Sequence, residues 1–207
     1  DLPFPYPEDL VIAPPRMALY MRKNMEINNI YKKYADEQNH SVYSIDESFV
    51  DVTDSLKLFG AKDARELARM IQTDVYRQTG IFTTIGIGDN PLLAKFALDL
   101  ESKKNSDMKA EWRYEDVQQK LWSVENITDV WGIGCRTAIR LNRMGIFTMH
   151  DLAHANYYQL KQNFGVLGTQ LYAHSWGIDR SFLGQKYKVK SKSIGNSQVL
   201  NRDYTRR

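Results

Sequence analysis

The sequence predicts an α/β (α+β) unit followed by a small all-helical one. Over residues 1–112, short β-favouring runs alternate with helical stretches, the pattern of a sheet with helices on one face. From Arg113 to Trp176 only helical segments with short glycine breaks remain. A chain of 207 residues, 43% hydrophobic and 26% charged, is long enough for one or two domains with a real core.

The elements follow in order. Leu10 to Ala13 is a short strand candidate closed by Pro14-Pro15. A helix is expected over 16–38, where Met17, Tyr20, Met21, Ile27, Ile30, Tyr31 and Tyr34 recur at helical spacing as core residues. Two extended pieces meet at Asp46-Glu47. Ala64, Leu67, Ala68, Ile71 and Val75 mark a helix over 61–79, which Gly80 ends. Residues 81–87 read as a strand, and Asn90-Pro91 open a helix that runs to about Lys103. Short helices are expected at 114–122, 126–131, 135–144, 148–154, 156–164 and 167–176, with Trp122, Trp131, Leu141, Leu152, Leu160, Phe164, Leu171 and Trp176 in their core. Residues 178–191 form a linker, and 192–200 are strand-like again.

Composition narrows the functional classes. The longest apolar run falls far short of the 18 or so residues of a membrane span, so no membrane partner is expected, and no signal peptide is visible. The single cysteine, Cys135, excludes an internal disulfide and fits a reducing, cytoplasmic setting; it reads as a small packing residue in a helix. Net charge is +3, but residues 180–207 carry +7 and residues 1–179 carry −4. A basic tail on a mildly acidic body is suited to a polyanion.

The chemistry concentrates at Tyr43-Ser44-Ile45-Asp46-Glu47-Ser48-Phe49-Val50-Asp51. Side chains alternate along a strand, so two consecutive acids share a face only if the backbone turns between them. Such acids pack poorly but ligate a hard cation such as Mg²⁺ well. Further on, Gly86-Ile87-Gly88-x-Asn90 leads into Ala94-Lys95. Ile127 to Leu141 has the form of a helix-hairpin-helix: its Gly132-Ile133-Gly134 turn points backbone N–H groups outward at a helix start, where phosphate is favoured. Arg136 and Arg140 follow at i, i+4.

These runs, in this order, resemble the Y-family (translesion) DNA polymerases, the UmuC-like impB/mucB/samB group. The resemblance implies the C-terminal part of a palm at 1–112, a helical thumb at 113–177, the linker, and the truncated first strand of a little finger at 192–207. It implies a Mg²⁺ site at Asp46 and Glu47, and a lysine against the incoming triphosphate. The family spacing places that lysine seven residues after Lys95, which is Ser102. Lys103 follows by one and is the candidate, with Lys95 the lesser one. DNA contacts fall to Gly132, Ile133, Gly134, Arg136, Arg140, Lys190, Lys192, Ser193 and Arg202. Primer–template DNA and dNTP are the implied partners, with a sliding clamp or SOS-response partners reached through absent regions.

The chain departs from the family in one respect. A two-ion site needs a further acid, which the family carries in an N-terminal strand, and no such motif occurs here. Asp51 has no assigned role. The chain starts at Asp1 and runs into Leu2-Pro3-Phe4-Pro5-Tyr6-Pro7, as a fragment would, and a fragment of this kind is expected to be inactive alone. Two rivals stand beside this reading: a non-catalytic DNA-binding module built on the hairpin, and a palm-type nucleotidyl cyclase. Ser44-Ile45 before the acids argues against the second.

Overall fold

The computed structural model describes residues 9–11, 13–184, 191, 193–195 and 197. A long helix opens it, α1 (Met17–Tyr31), followed by β1 (His40–Val42), β2 (Ser48–Val50), the single turn α2 (Ser55–Leu58) and α3 (Ala64–Thr79). Then come β3 (Ile85–Gly88), α4 (Pro91–Phe96) and β4 (Lys109–Trp112). The rest is helical: α5 (Cys135–Asn142), α6 (Met149–His154), α7 (Tyr157–Phe164) and α8 (Val166–Ser175).

Local chemistry accounts for the best-defined ends. The Asp63 carboxylate accepts from Glu66 N–H at 2.8 Å, and Gly80 closes α3 in the left-handed region at φ 71°. The Asn90 side-chain oxygen accepts from Leu93 N–H at 2.8 Å, and Pro91 stands at the first helical position of α4. Gly86 and Gly88 let β3 lie against α4: a Cβ on Gly86 would come within 2.0 Å of the Ala94 carbonyl oxygen.

The expected single sheet is two. β1 and β2 form an antiparallel hairpin with His40 opposite Val50, and β3 pairs in parallel with β4, Ile85 opposite Lys109. β4 has no counterpart in the sequence reading. Leu10, Val11 and Ala13 form no strand, and α1 stops at Tyr31 rather than near residue 38. Met17, Tyr20 and Met21, expected inside, are 55%, 44% and 53% exposed.

Two apolar cores support this framework. The larger runs from Leu92, Leu93 and Phe96 of α4 through Ala110 and Trp112 of β4 to Leu141, Leu152, Leu160 and Leu171 of the helical half. The smaller joins Ile30 and Tyr34 to Leu67, Ile71 and Val75. One ion-pair and hydrogen-bond cluster ties the end of β3 to the end of α8: Asn90 Nδ2 donates to the Tyr114 hydroxyl and the Gly177 carbonyl, and Arg113 pairs with Asp89 at 2.8 Å.

Candidate polymerase site

The two acids occupy the turn of the β1–β2 hairpin. Tyr43 N–H and Ser44 N–H both donate to the Glu47 carbonyl, at 2.9 and 3.1 Å, which closes the loop just before β2. From α1, Asn24 Nδ2 donates to the Ile45 carbonyl at 2.7 Å. Asn28 supports the hairpin from below: its side-chain oxygen accepts from Ser48 Oγ at 2.6 Å and lies 2.9 Å from His40 Nε2. Neither acid lies in a strand, and in the turn the two differ in exposure. Asp46 is exposed and accepts from Ser44 Oγ at 2.8 Å, whereas Glu47 is half-buried and reaches α4.

There Glu47 meets Lys95, whose Nζ stands 2.6 Å from Glu47 Oε1 and 3.1 Å from Asp99. Lys95 is only 7% exposed. Burial works against its charge, but the hydrogen bonds it donates to Glu47 and Asp99 outweigh that, and its pKa lies above the ordinary lysine value. So the lesser triphosphate candidate has its ammonium engaged within the protein. Lys103 continues the row, 3.9 Å from Asp99 with its side chain 62% exposed.

The helix is irregular around Ser102. After α4 the helix widens into a π turn over Ala97–Glu101, then tightens into a 3₁₀ turn over Ser102–Lys104. In a regular helix, residue eight after Lys95 would sit about 80° round from it, and residue seven about 20°. A π turn takes up one extra residue and lets the chain resume on its former face. Ser102 is fully buried, donating to the Leu98 carbonyl at 2.7 Å, and Lys103 is the residue that faces outward.

Across an open cleft of about 550 Å³, Asp99 and Lys103 face Thr128 to Gly134. The hairpin there is short. Its first helix is a single 3₁₀ turn, Ile127–Asp129, and its second is α5. Ile133 is 4% exposed and plugs the large core, which leaves Gly132 (φ 91°) and Gly134 outward, with nothing within 4 Å of where a Cβ would stand. A strand of phosphates can approach this backbone closely.

The remaining candidates divide. Arg136 is exposed. Arg140 is held: its guanidinium lies 4.1 Å from the Phe164 ring centre and donates to the Asn163 carbonyl. Ser193 is exposed in irregular chain, while Lys190, Lys192 and Arg202 lie outside the described residues. Asp51 accepts from Thr53 N–H and Oγ in a local turn. Cys135, expected to pack, is exposed at the start of α5, and Trp131, expected in the core, is 39% exposed. Sequence reasoning missed Asp99 as Lys95's second partner; its i, i+4 spacing was the available signal.

Oxygen donors such as Asp46 and Glu47 suit a hard cation. Among the described residues, no group of three His, Cys, Asp or Glu side chains is placed to hold a metal ion. No helix among the described residues is long and apolar enough to cross a membrane.

Known proteins resemble this chain. Residues 5–99 match the impB/mucB/samB family, and residues 128–179 match the DNA polymerase-iota thumb domain. The chain is 45% identical over 205 residues to the putative UV-damage repair protein UvrX of Bacillus subtilis, covering 98% of this chain and 48% of that protein. It is 36% identical over 196 residues to DNA polymerase IV 2 of the same organism, covering 95% of this chain and 46% of that one. The chain thus spans about half the length of these relatives. Among solved structures, DinB from Sulfolobus solfataricus superposes with a TM-score of 0.66 at 31% identity, over 81% of this chain and 47% of that one. A Dbh ternary complex gives the same score and identity, over 81% and 48%. Sequence, hairpin, thumb and fold agree, and the chain belongs to the impB/mucB/samB family of Y-family DNA polymerases.

Proposed function

We propose that this chain is the C-terminal palm (1–112) and thumb (113–177) portion of a translesion DNA polymerase, with the linker (178–191) and the first strand of the little finger (192–207) after them. One observation carries the reading. A row of charges, Glu47–Lys95–Asp99–Lys103, leads from the acid turn into the cleft that faces the glycine hairpin. Acids for a cation, an exposed ammonium for a phosphate and a backbone loop for DNA thus follow one another along this row.

In this reading Asp46 and Glu47 hold Mg²⁺ together with an acid from outside the chain. The bound ions would neutralise charge on the transferred phosphoryl group. Lys95 steadies Glu47 through one carboxylate oxygen and leaves the other for the cation. Lys103 reaches the triphosphate of the dNTP. Gly132, Gly134 and Arg136 hold the backbone of the primer–template duplex without reading its sequence. Damaged DNA is the substrate class, by analogy with the named relatives, and the cytoplasm is the setting. A clamp or SOS partner would act through other regions.

Two measurements test this. Mg²⁺ titration by calorimetry should show weak binding that Asp46→Ala abolishes. Binding unaffected by that change removes the metal assignment and leaves the rival, a DNA-binding module. Primer extension by the 207-residue chain should be absent, and robust extension would refute its dependence on a further acid.

A further inference from the structure

Trp131 has no role in the reading so far. It directly precedes the outward-facing glycine hairpin, lines the cleft and is 39% exposed. The other three indoles donate their N–H inside the protein: Trp112 to Glu101, Trp122 to the Ser175 carbonyl and Trp176 to the Ala153 carbonyl. The Trp131 indole has no such partner among the described residues. Instead it meets the ring of Tyr43 edge-on at 6.3 Å, and Tyr43 meets Phe49 edge-on at 5.5 Å. Tyr43 is itself 48% exposed. An aromatic pair therefore bridges the hairpin with the acids to the hairpin with the glycines, and both rings remain open to solvent.

We propose that Trp131, backed by Tyr43, is a contact surface for the deoxyribose or base of the nucleotide whose phosphate lies on the Gly132–Gly134 turn. This rests on the DNA-binding reading above. An indole half in water is costly unless a flat or apolar partner covers it. Bases and sugars are such partners wherever phosphates are gripped alongside, and base–aromatic stacking is indifferent to sequence. The charges in the cleft agree. Asp99 is engaged by Lys95 and Lys103, but Asp129 also lines the cleft, which favours a neutral ring there over a second phosphate. The opposing possibility is that the pair only latches the two hairpins together.

The test uses the 207-residue chain and a short primer–template duplex, read by DNA fluorescence anisotropy and by tryptophan emission. Duplex binding should quench the emission. Trp131→Ala should weaken binding about tenfold, the size of one lost stacking contact. It should leave the salt dependence unchanged, since phosphate contacts set that slope. Trp131→Phe should recover most of the affinity, which guards against a variant that merely fails to fold. The proposal is overturned if Trp131→Ala binds as tightly as the unaltered chain, if quenching persists in that variant, or if only thermal stability falls. Absence of duplex binding by the unaltered chain would overturn the DNA-binding reading as well.

Discussion

Eighteen buried apolar residues make the core that joins α4 and β4 to the helical half, whereas five make the one between α1 and α3. The glycine hairpin is anchored in the first by Ile133, and the acid hairpin leans on α1, an element of the second, through Asn24 and Asn28. The surface suited to DNA backbone stands on a core that can fold cooperatively, while the acids rest on polar contacts beside a thin one. Among the described residues, each strand pair, antiparallel β1–β2 and parallel β3–β4, also ends its own sheet after two strands, leaving backbone donors and acceptors at its edges.

The comparison is most exposed to cavity mutations. Leu141 and Leu67 are both 0% exposed, one in each core. Leu141→Ala should cost about 4 kcal/mol in denaturant unfolding and loosen the whole chain. Leu67→Ala should cost about 2 kcal/mol and act locally. Hydrogen exchange checks this: α1 and α3 should lose protection in Leu67→Ala while α5 to α8 keep theirs. A uniform loss from both would mean one cooperative unit and end the distinction.

A smaller effect is expected at the join between the two regions. Lys95→Met leaves Glu47 and Asp99 facing each other without a counter-ion, which for a fully buried pair costs several kcal/mol. Here the carboxylates are 27% and 25% exposed, so solvent reduces the loss to about 1 kcal/mol. Lys95→Arg should restore part of it. Equal or greater stability in Lys95→Met would show that the ion pairs hold nothing in place.

The smallest effect is a pH dependence of the thin side. Burial, with Lys32 nearby, holds the His40 imidazole below its ordinary pKa of 6.5. The fold therefore favours neutral His40. Its contribution is present above pH 6.5 and is lost as pH falls through the depressed value. Exchange in α1, corrected for intrinsic rates, should quicken at pH 5.5 relative to pH 7.5, about one unit either side of that reference. His40→Gln should flatten the difference. A local probe matters, because burial also lowers the pKa of His174 of α8, against the pull of Asp179.

Much of this was legible in the residues. Asp63, Gly80, Asn90 and Pro91 act through neighbours within a turn, so their effect can be read locally. The acid turn and the glycine hairpin were legible because their chemistry is written in consecutive residues. β4 was not: four residues with a buried lysine at their head carry little strand signal, and Lys109 is sheltered by Gln72 and the Asp107 carbonyl at 2.7 and 2.9 Å. Nor was the partner of Lys95, since Glu47 stands 48 positions away. Trp131 misled because a large apolar residue is assigned inward by default, and here Ile133 takes that place.

The π turn after α4 has a consequence for how such chains are compared. The family spacing points to Ser102, which is buried, whereas Lys103, one residue on, is exposed. Between Lys95 and Lys103 a widened turn and then a tightened one change how many residues fill each turn. Distance along the chain and direction around the axis are thereby uncoupled. Removing one residue from Ala97–Glu101 would then bring the lysine to the family's spacing at little cost to where it aims.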